Sequence, residues 1–344
     1  MLLEKAFGVF MRKLLGIVFM LAGVLILSSL AGCGIKGKNT STKITLNEVA
    51  HSIFYAPQYV AYEKGYFKAV GLDLHIVTGF GADKTMTALI SGDADIGFMG
   101  SESSIYQYNE GNEDYAINFA QLTQRAGNFL VSRENSTSFQ WSDLKGKTII
   151  GGRKGGMPQM ILEYILKKNG LNPQTDVTLI QNVDFSNTAG AFAGGTGDYT
   201  VEFEPNATSL EQQGAGYVVS SLGVESGYVP YTAYCAKKSY IEKYPDRIQK
   251  FTDAIYKGQQ FVATHTAEEI AKVIKPQFPE TDLKTLTSIV ARYKDQDTFK
   301  ENPIFEEQSF ALLQDILNEA GELKKPVEYS TLVNTTFASQ AINK

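Results

Sequence analysis

From Lys43 the apolar residues recur at every second position, Ile44 and Leu46, the spacing of a half-buried strand. A break follows at Ala50-His51-Ser52, and Tyr55, Tyr59, Val60 and Tyr62 then recur at helical spacing as far as Gly65. After a turn at Gly65-Tyr66-Phe67 a second alternating run covers 72–77, so 43–77 reads as one β-α-β unit. Such a unit puts its strand-to-helix loop, 50–57, at the carboxyl edge of a parallel sheet, where open α/β sheets receive ligands. The rhythm continues with helices over 81–91 and 101–110 and strands over 94–99, 115–122 and 129–133, the last crossing to a second lobe. Farther on it predicts strands over 148–152, 177–181, 199–203 and 217–222. Helices lie between them over 160–169, 188–194 and 209–214, the first burying Ile161, Leu162, Ile165 and Leu166. Alternating strands and helices of this kind make a parallel sheet covered on both faces. A strand over 229–236 leads into a helical tail. Pro245 opens a segment that shares a face through Ile248, Phe251, Ile255 and Val262, and helices over 281–294 and 305–320 follow, the last ended by Gly321.

Two stretches, APQYVAYEKGYFKAVGLDL and GFGADKTMTALISGDADIGFMGSES, resemble the solute-binding proteins of ABC importers. The branch is the one that carries nitrate, aliphatic sulfonates, taurine and thiamine-pyrimidine precursors. WSDLKGK at 141–147 resembles the entry to the second lobe in that family. The resemblance implies an α/β fold of periplasmic-binding-protein type II: two lobes, each a mainly parallel sheet flanked by helices, joined by two crossovers, with a helical C-terminal tail on the first lobe. The expected division is 43–130 with 230–344 in lobe 1 and 131–229 in lobe 2. It further implies a small-molecule ligand, a partner permease with its ATPase, and a monomer that works by cleft closure.

The chain opens with Arg12-Lys13, an apolar run over 14–30 and then Leu30-Ala31-Gly32-Cys33. A basic flank, a short apolar core and small residues before a cleavage point describe an export signal over 1–32. The tetrad resembles a bacterial lipobox, which implies lipid on Cys33, a tether over 33–42 and a body held on the outer face of the cell membrane. A membrane-spanning helix is the alternative, and Met11 an alternative start. The formal charge of −5 gives no basic field for nucleic acid, whose binding depends on neutralising phosphate. Only Cys33 and Cys235 are present, so a disulfide framework is excluded. The three histidines lie far apart without ligand-spaced neighbours, so neither metal nor cofactor is expected. Asp93 and Asp95 read as turn residues after a helix ended by Gly92.

Five loops at strand ends are the candidate cleft lining: 51–55, 100–103, 121–125, 154–158 and 202–206. They supply the candidate ligand-binding residues His51, Ser52, Phe54, Tyr55, Ser101, Glu102, Gln121, Lys154, Gly155, Gly156, Met157, Glu202 and Glu204. In GGRKGGMP at 151–158, Pro158 suits a helix start and the glycines allow close backbone approach, so its amides make an anion cradle or merely a turn. Glu102, Glu202 and Glu204 argue for the opposite charge. A desolvated acid opposes a sulfonate but gains a charge-assisted bond from an amino-pyrimidine or ammonium group, and otherwise it only caps a helix. Glu202 and Glu204 share a strand face by alternation. Phe54 and Tyr55 offer a stacking surface or core packing. The favoured ligand is therefore a nitrogen heterocycle such as a thiamine-pyrimidine precursor, with sulfonate, taurine or nitrate as alternatives. The enzyme alternative resembles the thiamine-pyrimidine synthases, which would set His51 and Lys154 in the histidine and Schiff-base roles, but the iron-binding cysteine cluster is missing. A menaquinone-precursor enzyme and a lipid-anchored sensor are the other readings of this fold. No Gly-x-Ser-x-Gly elbow occurs.

Overall fold

The computed structural model describes residues 41–344, so the export signal, Cys33 and most of the tether lie outside the described residues. Ten strands form two five-stranded sheets. The first contains β1 (Thr42–Glu48), β2 (Leu72–Thr78), β3 (Ile96–Gly100), β4 (Ala116–Thr123) and β10 (Thr232–Lys237), in the order β2-β1-β3-β10-β4. The second contains β5 (Asn128–Ser132), β6 (Thr148–Ile150), β7 (Thr178–Ile180), β8 (Tyr199–Phe203) and β9 (Tyr217–Ser221), in the order β7-β6-β8-β5-β9.

The two sheets repeat one plan. β1 pairs parallel with β2 and β3, and β6 pairs parallel with β7 and β8. In each sheet the antiparallel member is the strand that arrives from the other half: β5 runs against β8 and β9, and β10 against β3 and β4. β5 lies whole in the second sheet, whereas the division at 130/131 read from the sequence cuts it. Apolar periodicity marks a strand but not its neighbour, and β5 is buried along its whole length as β3 of the first sheet is.

The buried positions explain why these segments adopt these forms. β3 is buried along its whole length because helices cover both faces of a central parallel strand. β2, at the edge, keeps alternation, with Leu72 and Leu74 in and Asp73 and His75 out. In the tail, the helix Pro245–Thr264 buries Ile248, Phe251, Ile255 and Val262 and packs on the helix Ala56–Glu63 and on Thr336–Ile342. Thr266 and Glu269 form a capping box that starts the next helix, Ala267–Ile274, which the apolar pattern alone did not mark. Where a turn is read at Gly65-Tyr66-Phe67, Tyr66–Ala69 make one helical turn after Gly65, which takes a left-handed φ of 70°.

Candidate functional site

The carboxyl ends of the parallel strands of both sheets face the seam between the two halves. At the end of β3, Ser101 donates its hydroxyl to the Pro230 carbonyl, and Glu102 opens the helix Glu102–Asn109. A side chain on Gly100 would collide with the Glu102 carboxylate, so glycine there is what lets the acid fold back over the strand end. The residue Glu102 is 3 % exposed, and its Oε2 has no hydrogen-bond partner. Burial pushes its pKa up to about 8. Tyr55 and Tyr231 surround it closely enough to feel its charge, and the Tyr231 hydroxyl is likewise buried and unpartnered.

Beside Glu102 opens a cavity of about 730 Å3. Its wall joins the two halves: Met86 and Ile90 from the helix Ala82–Ser91, Glu102 and Tyr106 from the next helix, and Lys154 and Gly155 from the loop after β6. Contacts beside the cavity cross the seam. The Tyr106 hydroxyl donates to the Gly155 carbonyl at 3.2 Å, and Arg153 pairs with Asp83 at 3.1 Å. The arrangement can enclose an organic molecule of moderate size and offers it a desolvated carboxyl group.

The glycine-rich loop differs from the anion cradle read in the sequence. The Gly155 amide donates to Gln159 Oε1 at 2.9 Å, and the Gly156 amide to the Arg153 carbonyl at 3.1 Å. Gln159 is itself held by Glu163, which also accepts from Gln181. Two of the cradle's amides are thus already engaged within their own half, one by a helical side chain one turn on and the other by a backbone turn. Met157, rather than Pro158, is the first helical residue, and it is buried. Lys154 remains exposed on the cavity wall and forms no ion pair among the described residues.

The other acids are occupied. Glu202 accepts from Thr200 at 2.7 Å, Thr188 at 3.0 Å and Asn206 at 3.5 Å; burial outweighs these bonds and lifts its pKa to about 7. Glu204 takes the Thr208 amide and hydroxyl, both at 2.9 Å, and Arg292 at 2.6 Å. Arg292 also holds Glu211 at 2.9 Å. Glu204→Gln therefore disturbs an internal ion pair before it touches a ligand.

His51 lies away from the cavity wall. Its Nε2 donates to the Gln277 carbonyl and its Nδ1 is hydrogen-bonded with Glu48 Oε1, each at 2.9 Å, and the bond with Glu48 raises its pKa. Glu48 is fully buried and also accepts from Tyr59 at 2.8 Å and Gln58 at 2.6 Å. Ser52 caps the turn Ile53–Tyr55 through the Phe54 amide. The Phe54 ring is buried among Tyr55, Phe203, Tyr231 and Tyr293 at centroid distances of 5.3–5.6 Å, and Tyr55 packs edge-on against Phe98 at 4.5 Å. Gln121 donates to the Thr123 carbonyl, while its Oε1 has no partner. Of the thirteen sequence candidates, Glu102, Lys154, Gly155 and Gly156 meet on the cavity wall.

Tyr106, on the cavity wall, is not among the sequence candidates. Tyr106 carried a signal, since it follows Glu102 by one helical turn on the same face. Among the described residues no three His, Cys, Asp or Glu side chains converge in a way that could hold a metal. Cys235 is a buried free thiol with its pKa raised to about 12, and it packs with Leu89 and Met99.

The chain is 49 % identical over 321 residues to "Putative binding protein YtlA" of Bacillus subtilis, a match covering 93 % of this chain and 96 % of that one. Its fold matches the alkanesulfonate-binding protein SsuA of Xanthomonas axonopodis pv. citri bound to MOPS, with a TM-score of 0.68 at 16 % identity over 86 % of this chain and 99 % of that one. The periplasmic nitrate-binding protein NrtA of Synechocystis PCC 6803 gives a TM-score of 0.68 at 15 % identity over 88 % of each chain. These likenesses give the fold, that of the periplasmic binding proteins. Residues 53–269 match the family described as NMT1/THI5 like, and the chain belongs to that family.

Proposed function

We propose that this protein is the solute-binding component of an ABC importer, capturing a small nitrogen-containing organic solute between its halves and presenting the closed form to a permease. The observation that carries the ligand class is Glu102: a buried carboxyl group with an unpartnered oxygen, on the wall of a half-open cavity and in no ion pair among the described residues. A basic or hydrogen-bond-donating nitrogen satisfies that oxygen, whereas a sulfonate or nitrate offers it no donor and would bring a negative charge into a desolvated site. The cavity volume of about 730 Å3 suits a ring-sized solute. Thiamine-pyrimidine precursors and related heterocycles are the favoured class.

Export and a lipid anchor on Cys33 complete the proposal, with the body facing the outside of the membrane. They rest on the lipobox-like tetrad and on the fold shared with periplasmic proteins. Closure accounts for the contacts of Tyr106 and Arg153 across the seam: ligand favours the closed form by touching both halves, and the closed form gives the permease a distinct surface.

A second reading, a sulfonate or nitrate binder, is favoured by what the structural neighbours bind and by Lys154 on the cavity wall. Thermal-shift measurements at ligand concentrations well above micromolar dissociation constants separate the two. The panel contains pyrimidine precursors, riboflavin, taurine, alkane sulfonates and nitrate. A rise in melting temperature with the nitrogen heterocycles is expected. A rise confined to sulfonates or nitrate refutes the ligand class, and scattering that shows no compaction with a bound solute refutes closure.

A further inference from the structure

We infer that Asn128 reads the solute, and that the group it reads carries a hydrogen-bond acceptor and a donor side by side, as an amide, a urea or an amidine does. The inference rests on the solute-binding reading above and deepens it by naming the recognised group.

Asn128 opens β5 directly after the first crossover. The residue is fully buried, and neither Nδ2 nor Oδ1 has a hydrogen-bond partner. Its position is fixed from both sides. The preceding Gly127 carbonyl accepts the Tyr293 hydroxyl at 3.0 Å, and a side chain on Gly127 would collide with the Phe54 ring. In register, Asn128 stands opposite Phe203 at the end of β8. The Phe203 ring lies 5.6 Å from Phe54 and 6.0 Å from Tyr231. Asn128 adjoins this group of rings through Gly127 and Phe203, Tyr231 belongs to it, and Glu102 lies near Tyr55 and Tyr231; the Asn128 amide, the Tyr231 hydroxyl and Glu102 Oε2 are all buried without a partner among the described residues. They come from the first crossover, from the segment before β10 and from the helix after β3.

Buried polar groups in folded proteins are satisfied as a rule, and each exception costs stability. Leucine has the same branched outline as asparagine and would avoid that cost here. A primary amide presents one donor edge and one acceptor edge at a fixed spacing, so a partner that satisfies both must offer an acceptor and a donor in the matching order. Glu102 and Tyr231 then complete the recognition of a donor-rich, neutral or basic head, with the surrounding rings packing against its faces.

The test equilibrates immobilised wild type and Asn128→Leu with a small-molecule extract of bacterial cells and identifies the retained species by mass spectrometry, alongside thermal melts of both proteins. The expected result is that wild type enriches a species bearing an amide, urea or amidine group. Asn128→Leu should then lose about ten-fold or more of that retention, the size of a lost pair of hydrogen bonds in a dry site, while melting at the same or a higher temperature. Equal retention by Asn128→Leu overturns the inference, as does a retained species without such a group. A clear fall in melting temperature overturns it too, because Asn128 would then be structural. If wild type retains nothing, solute capture itself is refuted, which is a different outcome. Tyr231→Phe gives an independent check: it removes only a hydroxyl without a partner, so it too should weaken retention without loss of stability.

Discussion

Replacing Glu102 by glutamine tests the central feature of the site without any ligand. Burial raises the folded-state pKa of Glu102 from 4.5 to about 8. In the unfolded chain the group ionises at its ordinary value, so between those two values the folded protein keeps a proton that the unfolded chain has released. Stability therefore falls as pH rises through this window, by roughly 1.4 kcal/mol for each pH unit, or on the order of 3–5 kcal/mol by pH 8. Glu102→Gln cannot ionise, and it retains the shape of the protonated acid. Urea unfolding of the ligand-free protein should find the two chains similar near about pH 5 and E102Q the more stable by several kcal/mol near pH 8. Stability curves that run parallel across that range would refute the assignment of Glu102 as a desolvated, unpaired acid. The same proton bears on binding: a basic solute that pairs with ionised Glu102 expels it, so affinity should rise with pH until about pH 8 and then level.

Four other perturbations are specific to this structure. Arg292→Met leaves the buried Glu204 carboxylate without its cation and should lower stability by about 2–3 kcal/mol, toward the lower end for buried pairs because the arginine is one-third exposed; chemical denaturation measures this. Gly127→Ala drives a methyl group into the Phe54 ring and should cost about 1–3 kcal/mol, read as a lower melting temperature. Tyr106→Phe removes the hydroxyl that reaches the Gly155 carbonyl and should weaken solute binding mainly through faster dissociation, by stopped-flow, with little change in unfolding of the free protein. The raised pKa of His51 means that its tie to Glu48 stabilises fully below the ordinary histidine value and fades as pH climbs through the folded one. The melting-temperature deficit of His51→Gln should accordingly shrink above neutral pH.

The alternation of strands and helices was legible in the sequence because burial imposes its period on each segment separately. Even the C-terminal helices showed their faces at Ile248, Phe251, Ile255 and Val262. That 129–133 crosses to the second lobe was legible, but the residue at which the lobes divide was not, since the partners of β5, Tyr199–Phe203 and Tyr217–Ser221, lie scores of residues away. Distance along the chain hid the site in the same way. Glu202 and Glu204 looked like cleft acids until Thr188 and Arg292 came to meet them, one from a preceding helix and the other from the C-terminal tail.

The buried carboxylates of Glu48, Glu202 and Glu204 would be equally costly alone, and each is met by donors from its own surroundings. Glu102 is the exception, because the Gly100-Ser101 turn folds it against Tyr231 and away from any cation. The sequence marked Glu102, Glu202 and Glu204 but not Glu48, and could not say which acid would remain unmatched. That distinction is made only by the tertiary fold, and it turns one of four similar side chains into the candidate recognition group. A solute that supplies the missing donor would stabilise the folded protein and its binding-competent geometry through the same bond.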